Sequence, residues 1–290
     1  AWIGKWYTRR QLRRVKQRFA SGHSHRKTYS LNGISITAIP INKDNYGYVI
    51  VNDDSKDCVL IDVGDCDPCL QFLHSNNYIP SAVLTTHKHW DHCYGNKGML
   101  HAYPNLKLYG SKVDRPYGTN VFVSLLLFVK EGDESIEIGS FRFSTLFVPG
   151  HTKGHIIYRL LNPNGQDCLF TGDFLFIGGI GHIFEGTTKR ALKSLNLLQC
   201  LPRSALIFPG HEYSLKNIQF ASKLQPENKT LKRIEESVRQ KRIQKMPSVG
   251  CFIYLFIYLP SPFFASIKNC IQLHSIALLS YIHISFILHP

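Results

Sequence analysis

The feature that most constrains this chain is a run of potential metal ligands, Thr86-His87-Lys88-His89-Trp90-Asp91-His92, directly after the apolar residues 82–85. A short apolar run of this kind predicts a strand, and α/β folds place their ligands at strand ends. Neutral imidazole and carboxylate are natural ligands of zinc and similar divalent metals. An isolated His-x-His is typical of a polar surface loop, whereas four potential ligands at HxHxDH spacing favour a metal site.

Three further potential ligands each follow an apolar run and a glycine: His151 after Gly150, Asp173 after Gly172, and His211 after Gly210. Glycine permits sharp backbone geometry and close approach to a ligand or a neighbouring loop. Each of these signals is weak when taken singly. Together they complete a candidate metal site of seven residues: His87, His89, Asp91, His92, His151, Asp173 and His211.

The order of apolar runs predicts a layered α/β fold, because candidate strands and helices interleave along the chain. Residues 121–129 form an uncharged apolar run, which predicts a buried strand and is far shorter than the roughly 20 residues of a membrane span. Candidate strands lie at 34–39, 46–51, 59–61, 82–85, 106–109, 136–138, 141–148, 156–160, 168–171 and 205–208, and candidate helices at 68–75, 188–199 and 227–245.

The formal net charge of +14 is concentrated near the ends of the chain. Residues 1–30 carry nine Lys or Arg and no acidic residue, a second basic group occupies 229–245, and residues 247–290 carry a single charge, Lys268. We therefore expect a basic arm (1–30), a catalytic domain (31–225), a C-terminal helix (226–246) and an apolar tail (247–290), for which a non-native terminus is one interpretation. Because the charge is terminal, no nucleic-acid partner is expected.

Localisation is predicted from the two ends. The arm mixes basic and aromatic residues, which is typical of mitochondrial transit peptides and of membrane-surface segments, although a solvated extension fits as well. Residues 271–288 of the tail approach the length of a membrane span. We expect mitochondrial or membrane association, with contact through the arm or the tail, and otherwise a cytoplasmic protein. The eight scattered cysteines indicate reduced thiols, and no second pair supports a metal or redox role for Cys66-x-x-Cys69.

These motifs resemble the metallo-β-lactamase superfamily, whose pattern is HxHxDH, a His, a bridging Asp and a final His. Within it, residues 33–230 are most similar to the glyoxalase II (hydroxyacylglutathione hydrolase) group, through the run 86–92 and three further motifs: Gly150-His151-Thr152-Lys153-Gly154-His155, Gly172-Asp173 and Gly210-His211-Glu212-Tyr213. The resemblance implies an αββα sandwich. It also implies two divalent ions, zinc before iron or manganese, one held by His87, His89 and His151, the other by Asp91, His92 and His211, with Asp173 bridging.

The resemblance further implies a thioester hydrolase in which hydroxide shared by the two ions attacks the carbonyl of a glutathione thioester. Asp91 would also orient that hydroxide and is the candidate catalytic residue. His155 is expected to be structural, and Asp62 fits either a supporting carboxylate or a turn residue. The candidate substrate contacts are Tyr213, which the group shares, and His182 and Phe184, which stand where the group commonly has Lys and Tyr.

Two alternatives remain open from the sequence. One is a mononuclear iron dioxygenase acting on glutathione persulfide, which would use His87, His89, His151 and Asp173 alone. The other is a scaffold whose metal site is structural and whose basic arm binds partners or membranes.

Overall fold

Two mixed sheets face each other in the computed structural model, which describes residues 22–123, 135–198, 201–249 and 251–252. The first sheet has the order β1-β2-β3-β4-β5-β6-β7, with parallel pairing from β4 to β7. Its strands are β1 (Lys27–Ser30), β2 (Ile34–Ile41), β3 (Asn45–Asn52), β4 (Cys58–Ile61), β5 (Ala82–Leu84), β6 (Lys107–Ser111) and β7 (Val121–Val123).

The second sheet is antiparallel except for one parallel pair, β11 with β14. Its strands are β8 (Ile136–Ile138), β9 (Phe141–Phe147), β10 (Ile156–Leu160), β11 (Cys168–Gly172), β14 (Leu206–Pro209) and β15 (Cys251–Phe252), in the order β15-β14-β11-β10-β9-β8. A separate hairpin joins β12 (Leu175–Phe176) to β13 (Gly179–Ile180).

All of the described helices except the single turn Trp90–Cys93 pack on the outer face of one of the two sheets. The helices are α1 (Cys66–Ser75), α2 (Trp90–Cys93), α3 (Asn96–Ala102), α4 (Thr188–Leu198), α5 (Ser214–Leu224) and α6 (Lys229–Ile243). Leu73 of α1 and Met99 of α3 pack on the first sheet, whereas Leu195, Ile218 and Val238 of α4, α5 and α6 pack on the second. Side-chain caps begin two of them: Asp65 accepts a hydrogen bond from the amide of Asp67 at α1, and Asn228 accepts from Thr230 and Leu231 at α6.

The central strands are apolar on both faces because each face meets a different layer. All four residues of β4 are buried: Val59 and Ile61 face the second sheet, while Cys58 and Leu60 face the helices. Such strands read as continuous apolar runs rather than as alternating ones. Phe170 and Phe208 of the second sheet meet Tyr48 of the first, with ring centroids 5.5 Å from that of Tyr48. Two sheets between two helical layers give the predicted αββα sandwich, which is confirmed.

The boundaries differ from the sequence predictions at three places. Lys27–Ser30, assigned to the basic arm, pairs with β2 as an edge strand. Cys251–Phe252, assigned to the tail, pairs with β14. Val121–Val123 is a short edge strand with Phe122 about half exposed, so the buried-strand prediction is wrong there. Residues 124–129, 1–21 and 253–290 lie outside the described part of the chain.

Among the described residues, none of the helices combines the length and the apolar character needed to cross a membrane. The helix predicted at 227–245 corresponds to α6, and the helix predicted at 188–199 corresponds to α4. The helix predicted at 68–75 corresponds to α1, whereas α2, α3 and α5 were not predicted.

Candidate metal centre

All seven predicted ligands follow strands that end at one edge of the two sheets. His87, His89, Asp91 and His92 follow β5 of the first sheet, and the single turn of α2 brings Asp91 and His92 back towards that strand. His151 follows β9, Asp173 follows β11 and His211 follows β14, all in the second sheet. The site therefore lies where the two sheets meet.

The structure brings His87, His89, His151 and Asp173 into a first group, whose potential ligand atoms all lie within 4.8 Å of one another. His151 Nε2 is 2.9 Å from His89 Nδ1 and 3.4 Å from Asp173 Oδ2. His87 Nε2 is 3.9 Å from the same carboxylate oxygen. Three imidazoles and one carboxylate thus converge on one point.

Asp91, His92 and His211 form a second group beside the first. The Nε2 atoms of His92 and His211 are 3.3 Å apart, and Asp91 Oδ2 is 3.4 Å from His211 Nε2. Asp173 also reaches this group, with Oδ1 3.2 Å from His92 Nε2 and Oδ2 3.3 Å from His211 Nε2. The Asp173 carboxylate therefore stands between the two groups.

The donor atoms fit a divalent cation. His87 Nε2 and Asp173 Oδ1 are buried and make no hydrogen bond within the described structure. Buried polar atoms in proteins are nearly always partnered, so such atoms in the middle of a cluster call for a bound group. Imidazole and carboxylate together match zinc, iron or manganese better than calcium or magnesium, which prefer all-oxygen ligand sets. The cluster suits a divalent metal.

Asp62 supports one ligand histidine of each group: it binds His92 directly and reaches His87 through Thr86. Its carboxylate accepts hydrogen bonds from the Thr86 hydroxyl (2.7 Å) and from His92 Nδ1 (3.0 Å). The Thr86 oxygen in turn lies 3.0 Å from His87 Nδ1 and can accept from it. With both Nδ1 atoms acting as donors, the Nε2 atoms of His87 and His92 keep their lone pairs for a metal. Of the two interpretations of Asp62, the one as a supporting carboxylate matches these contacts.

Asp44 and Asn45, which the sequence did not single out, support the second group. Asp44 Oδ1 lies 2.9 Å from His211 Nδ1, so His211 donates to it. Asn45 begins β3, and its side-chain amide donates to Asp91 Oδ2 at 3.0 Å. Asp44 ends the turn before β3 and Asn45 is the first residue of the strand, so the only sequence signal is a polar pair at the start of an apolar run.

Asp114 is a further supporting carboxylate, and its sequence context does not single it out. It is buried in the loop after β6 and accepts hydrogen bonds from the amides of Lys88 (3.2 Å) and Gly154 (2.7 Å) and from the Thr152 hydroxyl (2.5 Å). It joins the loop of His87 and His89 to the loop of His151. No local pattern marks it, because all its partners are distant in sequence.

Two of the three glycines before ligands are required by the geometry. Gly172 has a φ of +47°, and a Cβ atom there would collide with the Thr86 side chain. A Cβ atom on Gly210 would lie 2.6 Å from both Asp173 Oδ1 and His92 Cε1. A Cβ atom added to Gly150 would have no neighbour closer than 3.4 Å, so the prediction of close approach is wrong at that position.

The two groups differ in their protonation. Burial lowers the pKa of His151 to about 4 and also lowers the pKa values of His87 and His89, so these rings are neutral and ready to ligate. Burial also opposes charge on His92, but Asp173 and Asp91 raise its pKa to about 10. The pKa of His211 is also raised against the effect of burial, chiefly by Asp173. The carboxylates of the second group thus stabilise positive charge beside His92 and His211, whether that charge is a proton or a metal ion.

The predicted substrate contacts lie on the exposed side of the cluster. The Phe184 ring is 62% exposed, with its centroid 5.2 Å from that of His151 and 5.8 Å from that of His89. The His182 ring packs on the Phe184 ring, and the backbone carbonyl of His182 accepts a hydrogen bond from His151 Nδ1 at 2.8 Å. Tyr213 stacks on His211 with ring centroids 4.8 Å apart. Their role in substrate binding stays a prediction.

Two other sequence features lie outside both ligand groups. His155 is buried against His87, with ring centroids 4.8 Å apart, and its Nε2 accepts from the amide of Asp173 at 3.2 Å. Cys66 and Cys69 are free thiols, and burial raises the pKa of Cys66 to about 11. A thiol with a raised pKa is a poor nucleophile at neutral pH.

Comparisons with known proteins agree with this geometry. The metallo-beta-lactamase superfamily model matches residues 44–211. The hydroxyacylglutathione hydrolase-like protein of Gallus gallus is 32% identical over 243 residues, covering 82% of this chain and 83% of the relative.

Two solved structures share the fold. ETHE1 from Myxococcus xanthus aligns with a TM-score of 0.50 and 24% identity, covering 86% of this chain and 98% of that one. The class B3 di-zinc metallo-beta-lactamase LRA-12 from an Alaskan soil metagenome aligns with a TM-score of 0.52 and 13% identity, covering 79% and 96%. At these identities the likeness is one of fold alone.

Proposed function

Because the chain belongs to the metallo-β-lactamase superfamily, we propose that it is a binuclear metal-dependent thioester hydrolase of the hydroxyacylglutathione hydrolase type. The observation that carries the proposal is the position of Asp173. Its two carboxylate oxygens lie 3.2 to 3.4 Å from His151, His92 and His211, so one side chain can serve two ions. The similarity to the Gallus gallus protein supports the choice of reaction.

His87, His89 and His151 would hold one ion, Asp91, His92 and His211 the other, and Asp173 would bridge them. When bound, a pair of divalent ions polarises a carbonyl oxygen and lowers the pKa of a shared water. The ions are proposed to be zinc, with iron or manganese as alternatives, because imidazole-rich sites suit all three.

Asp91 is the proposed catalytic residue. Its side chain is 20% exposed, against 10% for Asp173, so it is the more open of the two ligand carboxylates, and Asn45 holds Oδ2 by a hydrogen bond of 3.0 Å. An ionised carboxylate held in this way can accept a hydrogen bond from the attacking water and orient it towards the substrate carbonyl. Although burial alone opposes ionisation, His92 and His211 lower the pKa of Asp91, so the group is ionised at neutral pH.

The proposed substrate is a small-molecule glutathione thioester, with the acyl carbonyl entering past Phe184 and Tyr213. A thioester suits this site because its thiolate leaves without a strong general acid. Lys88 lies near the entrance but is already paired with Glu185, with 2.7 Å between Nζ and the carboxylate. Phe184 adds no positive charge for the glutathione carboxylates. We therefore propose weak glutathione binding, or a shifted acyl or thiol group.

The proposal favours two metals over one because the second group has its own supporting hydrogen bonds. Asp44 orients His211, Asn45 orients Asp91 and Asp62 orients His92. A mononuclear dioxygenase would need none of these contacts, and a structural site would need no open carboxylate. Both alternatives remain outcomes of the test.

The test is to measure metal content, hydrolysis of S-D-lactoylglutathione and oxidation of glutathione persulfide for the purified protein and for Asp173→Ala. Asp54→Ala is the control because Asp54 is an exposed surface carboxylate. The proposal predicts two metals per chain, turnover in the native protein and the control, and loss of at least 100-fold in Asp173→Ala, as expected for removing a group that positions both ions. One iron with persulfide oxidation would identify the dioxygenase. Bound metal without either activity would support the alternative of a scaffold with a structural metal site.

Mitochondrial or membrane association stays a prediction, because the arm residues 1–21 and the tail residues 253–290 lie outside the described chain.

A further inference from the structure

Arg242, near the C-terminal end of α6, is the centre of a buried polar network. Its Nη1 atom donates to the Ser24 hydroxyl (2.9 Å) and the Met246 carbonyl (2.7 Å), and its Nη2 atom donates to the His23 carbonyl (2.7 Å). Nη1 also lies 3.4 Å from Glu212 Oε2. One guanidinium thus joins the segment before β1, the segment after α6 and the residue that follows the ligand His211.

Glu212 is the acidic member of this network and is almost completely buried, with 4% of its side chain exposed. Its Oε2 atom accepts from the Tyr46 hydroxyl (2.8 Å) and the Ser248 amide (2.7 Å) as well as from Arg242. A buried carboxylate needs a cation and several donors to remain ionised. Within the described chain, Arg242 is the only Lys or Arg that pairs with it.

Two short connections lead from Glu212 to the second ligand group. Glu212 directly follows His211, and its amide donates to the Asp44 carbonyl at 2.8 Å, which places the Asp44 carboxylate beside His211. Tyr46 directly follows Asn45, and its amide donates to the Gly210 carbonyl at 2.8 Å. Glu212 and Tyr46 therefore connect the network to the loop of His211 and to the start of β3.

The first ligand group is held by other contacts. His87 is oriented through Thr86 and Asp62, His151 through the His182 carbonyl, and their loops are joined by Asp114. Arg242 donates to none of these residues. Loss of Arg242 should thus affect the two groups unequally.

We propose that Arg242 is a positioning residue for the second metal site: through Glu212 and Tyr46 it holds His211, Asn45 and Asp91 in ligating geometry. Arg242 lies outside the segment 44–211 that matches the family, so α6 completes a site whose ligands all lie in that segment. The inference rests on the two-metal site of the proposed function and not on its substrate.

The test is a cobalt(II) titration of the full, metal-free chain, followed by visible absorption, for the native protein, Arg242→Met and Arg242→Lys. Arg239→Met is the matched control, since Arg239 lies on the same helix and its ion pairs within the described residues are with Glu235 and Glu236 of α6. Methionine keeps the length of the side chain without its charge, whereas lysine keeps the charge but cannot reproduce the fork of donors.

The second cobalt ion should bind Arg242→Met about 10- to 100-fold more weakly, as for other residues that orient ligands, while affinity for the first ion changes much less. Arg242→Lys should recover part of the loss, and Arg239→Met should match the native protein. Unchanged affinity for the second ion in Arg242→Met, or an equal loss of both ions in both Arg242 variants, would overturn the inference. A native protein that binds one ion would instead remove the two-metal function on which it rests.

Discussion

Asp62 follows β4 with a φ of +50°, a left-handed conformation that costs most residues free energy but that Asp and Asn tolerate best. Its carboxylate accepts from the Thr86 amide (2.8 Å), the Thr86 hydroxyl and His92 Nδ1. An isolated buried carboxylate is costly, whereas one with three donors is stabilised. The residue type is therefore explained both by the backbone and by the two ligand histidines that it orients.

We predict that Asp62→Asn weakens metal binding about 10- to 100-fold. Asparagine retains the left-handed backbone, but an amide nitrogen in place of Oδ2 cannot accept from the Thr86 hydroxyl or from His92 Nδ1, which both donate to that oxygen. The rings of His87 and His92 therefore both lose their orientation. Competition titration with a chelator measures the affinity. The control is Asp54→Asn on the surface, and equal affinity of Asp62→Asn and the native protein would show that Asp62 is only a turn residue.

The sequence predicted the seven clustered residues because each follows an apolar run, whose end a strand places at the sheet edge. Asp62 was predicted only as one of two alternatives. Asp44, Asn45 and Asp114 were missed because they act through partners far away in sequence, and before folding they look like any polar turn residue. What a local pattern cannot supply is the register that brings these loops together.

At the scale of elements, two of the three turns that lead from a strand through a glycine to a ligand are tightly packed. Gly172 and Gly210 leave no room for a Cβ atom, because the Thr86, Asp173 and His92 side chains fill the space. Gly150 also precedes a ligand, but its nearest neighbours, Ala191 Cβ and a ring atom of Phe174, are 3.4 Å away, at ordinary contact distance. The same sequence motif therefore has two different structural meanings.

We predict that Gly210→Ala lowers the free energy of unfolding by about 1–3 kcal/mol, the usual cost of overpacking, and removes at least one metal ion. Gly150→Ala should change stability by less than about 1 kcal/mol and retain both ions, because the added methyl group meets no close contact. Urea denaturation and metal analysis of the two variants provide the comparison. Similar losses in both would contradict the packing described at these turns.

Helices α4 and α6 were predicted because their apolar residues recur at helical spacing in long segments. Helix α5 was missed: it begins at Ser214, three residues after the ligand His211, and no side chain caps its start. Edge strand β1 was missed because none of its four residues is fully buried, so it lacks the apolar run that marks the inner strands. Short elements without a buried face carry no periodic signal, and tertiary pairing alone defines them.

For the molecule as a whole, the site exists only when the two sheets are packed together. The first sheet contributes His87, His89, Asp91 and His92 after β5, and the second contributes the other three ligands. The inter-sheet core holds the halves in register, and the Tyr48 hydroxyl of the first sheet donates to the Pro209 carbonyl of the second at 2.6 Å, next to Gly210. Ligands supplied by both sheets imply that metal binding also stabilises the fold.

The most direct measurement of the central claim is a crystal structure of the zinc-loaded protein with anomalous diffraction recorded at the zinc absorption edge. The two-metal account predicts two peaks about 3.5 to 4 Å apart, one beside His87, His89 and His151 and the other beside Asp91, His92 and His211, with the Asp173 carboxylate between them. A single peak confined to the first group, with Asp91 and His211 free of metal at saturating zinc, would contradict it.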